Sequence, residues 1–176
     1  MCCASPRARV KDIVKRSMAA VERDDNKLAV VVAGFSRFRL VVEAMGQQAA
    51  DQVLLEIGDS LSTCLKEAGE TPVQARGLRT SMVGILDHAR FGIMLTWSGD
   101  DDELARFQQR LMQALARPIQ VGGQTVYLSA CLGIAMYPDD ADNVDSLLQR
   151  ADNAMRAAQG RGGGVRYHCA DSDAAA

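Results

Sequence analysis

The run "KLAVVVAG", residues 27–34, constrains the fold more than any other stretch of the chain. Leu28 to Ala33 are apolar without a break, and three of them are valine. A strand with one wet face alternates apolar and polar side chains, because successive residues point to opposite sides. Here neither side is polar, so the run reads as a central strand buried on both faces. It is also the longest apolar run in the chain and far too short to span a bilayer.

The flanking patterns supply what packs around it. Residues 7–23 place Val10, Ile13, Val14, Met18 and Val21 on one helical stripe. Residues 37–45 predict a short helix stopped by Gly46. Residues 47–68 predict a longer one that turns Val53, Leu54, Ile57, Leu61 and Leu65 inward and ends at Gly69. Strands at about 73–86 and at 91–97 form a hairpin around Asp87, His88, Ala89 and Arg90.

The next helix begins on Asp100 to Glu103 and stops at Pro118; acids in a first turn are explained by the helix dipole, not by a metal. "IQVGGQTVYLSACLGIAMYP" reads as a short strand, a Gly-Gly turn and a long strand. A helix with Asn143 as N-cap and a final strand, "GVRYH", close the pattern. Hairpin-joined strands alternating with helices predict an α+β fold. Its central, mainly antiparallel sheet is flanked by helices, with a ferredoxin-like β-α-β-β-α-β kernel and an added hairpin. No repeat or linker interrupts the 176 residues, so one domain is expected, with an ordered core over about 5–168.

Composition narrows the class. Apolar residues at 48% and charged residues at 24% are globular, and a net charge of −2 calls for neither nucleic acid nor an anionic membrane. The five cysteines form no Cys-x-x-Cys pair, and no signal-peptide pattern opens the chain; both predict reduced thiols in a cytoplasmic protein. Cys131 reads as a small core residue, and with His88 and His168 the only histidines a zinc site has little to be built from. Met18, Met45, Met94, Met112, Met136 and Met155 fall in apolar stripes and read as core filler.

Two longer stretches carry a resemblance. "LSACLGIAMYPDDADNVDSLLQRADNAMRAAQGRG" follows an S-x-G-I-A-x-Y-P segment, an L-L-x-x-A-D-x-A-M helix and a glycine-rich exit. "FSRFRLVVEAMGQQAADQVLLEIGDSL" keeps a phenylalanine, a glycine and a G-D-x-x-L-L-like helix opening at Ala50, Asp51, Val53 and Leu54. Over about residues 5–168 the chain resembles a GGDEF domain, of the diguanylate cyclase family that condenses two GTP into cyclic di-GMP. The resemblance implies a palm-like cyclase fold.

It also implies where the site would be, and those positions are altered. The family's D-x-D-x-F-K stretch, which holds metal, reads "GFSRFR", with Gly34 and Ser36 in place of the two aspartates. Two Mg²⁺ ions need carboxylate oxygens, and neither residue has one. The guanine-reading positions are Val42 and Glu43. The signature aligns with "DHARF": Asp87 and His88 replace glycines that let the backbone approach a nucleotide, Ala89 the metal acid and Arg90 the next acid, while Phe91 is kept. The phosphate-contacting lysine aligns with Gln159 and the exit arginine with Gly163. The product-inhibition motif R-x-x-D aligns with Leu78 and Ser81, and Arg79 is one residue out of register.

Read this way, the domain has no catalytic, nucleotide or metal residues in use and needs no cofactor. Asp87, His88 and Arg90 read as fillers of an exposed turn. "GRGGG" (160–164) follows a helix and lacks the Lys-Ser or Lys-Thr of a phosphate loop, so it reads as a helix terminus. The function implied is a regulatory or interaction module in bacterial cyclic di-GMP signalling. Its partner is a neighbouring EAL-type or sensor domain, another protein, or a second copy. An allosteric GTP-binding domain without cyclase activity and an active cyclase are the competing classes.

Overall fold

The computed structural model describes residues 6–24, 26–70, 79–87, 89–97 and 101–167. Its elements are α1 (Pro6–Asp24), β1 (Lys27–Ser36), α2 (Phe38–Met45), α3 (Gln47–Glu70), β2 (Arg79–Asp87) and β3 (Arg90–Trp97). They continue with α4 (Asp101–Leu115), β4 (Ile119–Val121), β5 (Gln124–Val126), β6 (Ser129–Tyr137), α5 (Val144–Gly160) and β7 (Gly164–Tyr167). The main sheet runs β2-β3-β1-β6-β7, and β4-β5 forms a separate ribbon. β1 pairs antiparallel with β3 and β6, β2 pairs antiparallel with β3, and β7 joins in parallel, on β6.

β1 is central, as its sequence requires. Its side chains divide by parity: Ala29, Val31, Ala33 and Phe35 enter one core, Leu28, Val30 and Val32 the other. The first core is covered by α2, α3 and α4 through residues such as Val41, Leu61 and Leu111. The second is covered by α1 and α5 through Val10, Val14, Leu147 and Met155. Burying each large aliphatic side chain contributes about 1.5–3 kcal/mol, so both helical layers are needed to cover this strand.

Several local expectations shift. Ile13 is 38% exposed, because Val10, Val14, Met18 and Val21 already fill the stripe of α1 that meets the sheet. α3 runs through Gly69 to Glu70. The long strand after the Gly-Gly turn splits: Gln124–Val126 pairs with β4, and Ser129–Tyr137 crosses into the main sheet. Glu103 in the first turn of α4 is buried, and its Oε2 has no hydrogen-bond partner among the described residues, so it is not a solvated dipole-facing acid. The expected strand residues 73–78, together with Asp100 and His168, lie outside the described residues.

α5 is positioned at both ends by local chemistry. The Asn143 side chain accepts a hydrogen bond from the Ser146 amide at 2.9 Å, a cap that contributes about 1 kcal/mol. At the other end the Gly163 amide donates to Ala158 O at 3.0 Å, and Gly162 and Gly163 take φ of 89° and 134°. The glycine run thus turns α5 into β7. Between these ends α5 lies against the backbone of β6. A Cβ on Gly133 would stand 2.0 Å from Ala151 O, so only glycine lets the helix come this close.

Candidate functional site

The C-terminal end of β1, the first turn of α2, the tip of the β2–β3 hairpin and the last turn of α5 converge on one cavity of about 710 Å³. Ser36 and Arg37 line it from the β1–α2 junction, Phe38, Arg39 and Val42 from α2, Ala89 from the hairpin and Gln159 from α5. The fold therefore gathers four of the positions singled out in the sequence. Val42, Ser36, Ala89 and Gln159 reach the wall, while Gly34, Glu43, Gly163 and Asp87 are not part of the lining. His88, Leu78 and the side chain of Ser81 lie outside the described residues.

The chemistry at these positions is apolar, neutral or cationic. None of the described lining residues is an aspartate or glutamate. Ser36 Oγ shares a hydrogen bond with Cys131 Sγ at 3.2 Å. Gln159 Nε2 donates to Phe35 O at 3.2 Å, so its amide is engaged with the end of β1. Gly34 is buried, and a Cβ there would meet Met155 Sδ at 2.7 Å and Gln159 Nε2 at 3.2 Å. Side chains of α5 thus cross the space a metal-binding aspartate would need. Among the described residues no group of three or more His, Cys, Asp or Glu is arranged to hold a metal ion. The donors present do not fit a Mg²⁺ site, which wants an octahedron of oxygens anchored by carboxylates.

The hairpin tip differs from the exposed turn expected of it. Arg90 is folded inward, its side chain 22% exposed. Its Nε donates to Asp87 Oδ1 at 2.7 Å, its Nη2 pairs with Asp87 Oδ2, and its Nη1 reaches Asp152 Oδ1 on α5. Asp152 Oδ2 also accepts from Arg156 Nε at 2.9 Å. The guanidinium fork thereby ties the tip of the hairpin to α5. Phe91 is a core residue, 1% exposed and edge-on to Phe35 with centroids 6.5 Å apart.

Sequence reasoning missed Asp152 as a partner of Arg90 because it is 62 residues away. The available signal was Asp152 and Arg156 at i and i+4 on one helix. It also passed over Arg37, whose backbone sits at φ 63°, ψ 16°. Arg37 is the one non-glycine residue with positive φ among the described residues.

A five-stranded sheet with helices on both faces, and a cavity where β1, the β2–β3 hairpin and α5 meet, defines a palm-like cyclase fold. Residues 5–164 match the family described as diguanylate cyclase, GGDEF domain, and the chain belongs to that family. It is 26% identical over 154 residues to the bifunctional diguanylate cyclase/cyclic di-GMP phosphodiesterase MucR of Pseudomonas aeruginosa, covering 86% of this chain and 21% of MucR. It is 27% identical over 154 residues to the diguanylate cyclase TpbB of the same species, covering 87% of this chain and 33% of TpbB. The crystal structure of the TpbB GGDEF domain superposes with a TM-score of 0.79 at 25% identity, covering 93% of this chain and 95% of that one. The chain therefore spans a fifth to a third of the length of these curated relatives. Among the described residues no helix is long and apolar enough to cross a membrane.

Proposed function

We propose that this GGDEF domain is inert as a diguanylate cyclase. In this reading it serves as a cytoplasmic regulatory or interaction module in cyclic di-GMP signalling, as one domain of a larger protein with an EAL-type or sensor neighbour. One observation carries the reading: a cavity of the right position survives, and the described residues that line it include no carboxylate. A metal-assisted phosphoryl transfer needs oxygens to hold the cation and cationic groups to meet the phosphates. The positions that would supply the first are Gly34, Ser36 and Ala89, and the nearby acids Asp87 and Asp152 are both engaged by Arg90. Val42 cannot hydrogen-bond a guanine edge, and Gln159 brings no charge to a phosphate. The family context supports the signalling assignment, because MucR by its name combines cyclase and phosphodiesterase.

Incubation with GTP and Mg²⁺, followed by chromatographic separation of products, tests this. No cyclic di-GMP is expected. Product formed by the purified domain, and absent when the cavity is blocked by Ala89→Trp, would overturn the reading. Millimolar GTP with Mg²⁺ is likewise expected to leave the thermal midpoint unchanged, since a ligand stabilises only by binding the native state.

A further inference from the structure

We infer that the cavity between β1, α2 and α5 is a docking site for an acidic segment of a partner protein or domain, one that places an Asp or Glu beside an apolar residue. This rests on the reading of the domain as an interaction module and names the chemistry of its partner. Charge complementarity is the first argument. The lining contributes Arg37 and Arg39 and no acid among the described residues. Arg39 is shared with Glu43 at 3.0 Å, and Arg37 makes no ion pair among the described residues. One free guanidinium and one shared one match a single carboxylate or a pair of them. A triphosphate carries several charges and brings a divalent cation that the lining has no oxygens to hold.

Backbone geometry at Arg37 is the second argument. An L-residue at φ 63° is strained, and glycine would occupy that position without strain. An arginine held in such a conformation puts a charged side chain at the cavity where local backbone preference would place none, as strained residues at binding sites do. The third argument is the apolar part of the wall. Phe38, Val42 and Ala89 line the same cavity, so an apolar side chain beside the carboxylate has a surface to cover.

The test is selection of linear peptides from a random phage-displayed library on the full chain, counter-screened against Arg37→Gly. That variant keeps the left-handed backbone, so its thermal midpoint is expected to be equal to or above wild type. Peptides enriched in Asp or Glu next to an apolar residue are expected. Their synthetic forms should bind Arg37→Gly about three- to five-fold more weakly, the loss typical of a solvent-exposed ion-pair partner. Millimolar GTP with Mg²⁺ should not displace them. Selected peptides without acidic enrichment, or equal binding to Arg37→Gly, would overturn the inference, and displacement by GTP would make a nucleotide the occupant. Failure of the selection with no cyclic di-GMP formed removes the docking site alone; cyclic di-GMP formation removes the inert reading as well.

Discussion

Two glycines under α5 make a quantitative test of how this helix is seated. At Gly133 an added Cβ meets backbone: Ala151 O at 2.0 Å and Met155 N at 2.2 Å. At Gly34 it meets the end of a flexible side chain, Met155 Sδ at 2.7 Å and Cε at 3.3 Å. Carbon contacts are optimal at roughly 3.5–4.0 Å, so both are too close by about 1 Å or more. The remedies differ. Met155 can swing its thioether, at a cost of about 1–2 kcal/mol in a packed core. Relief at Gly133 requires α5 to lift bodily from β6, exposing residues such as Leu147 and Ala151 that are now fully buried. Gly133→Ala is therefore expected to cost about 3 kcal/mol or more, a large share of a typical 5–15 kcal/mol domain stability. Urea unfolding of wild type, Gly34→Ala and Gly133→Ala, compared at constant m, measures both. A cost at Gly133 no greater than at Gly34 would refute the seating of α5 on the β6 backbone.

The clasp at the hairpin tip gives a second prediction. In a double-mutant cycle, Arg90→Met and Asp152→Asn should couple by about 1 kcal/mol, because both side chains are about one-fifth exposed and share hydrogen bonds. Coupling below about 0.3 kcal/mol would mean that the hairpin is held to α5 by apolar packing alone. A third concerns alkaline pH. Tyr137 donates its hydroxyl to Glu22, and that bond, with burial and the nearby carboxylate charges, raises its pKa above the ordinary 10.0. The folded state holds this proton more tightly than the unfolded one. The contribution is therefore complete below about pH 10 and lost as pH climbs through the raised value. Tyr137→Phe should flatten the stability profile above pH 10 relative to wild type, and identical slopes would count against the Tyr137–Glu22 bond.

Much of the fold was legible because it is written in short-range patterns. The unbroken Leu28–Ala33 run announces a strand buried on both faces, and it occupies the middle of the sheet. Asn143 and the glycines after α5 mark that helix's ends through bonds spanning a few residues. The break in the long strand before β6 was not legible, because no glycine or proline separates Gln124–Val126 from Ser129–Tyr137, and only their different partners tell them apart. Nor was Glu103, whose burial depends on how α4 lies on its core.

The candidate site divides the same way. Sequence alone determined that Gly34, Ser36, Val42, Ala89 and Gln159 bring no charged side chain, since residue identity fixes what chemistry each can offer. It could not determine what those side chains touch. Tertiary structure decided that Met155 and Gln159 close over Gly34, that Arg90 turns inward to Asp152, and that Arg37 and Arg39 give the remaining cavity its charge. Those outcomes depend on contacts between residues tens of positions apart in the chain. The packing of α5 on β1 and β6 brings them together, and no local pattern encodes that approach.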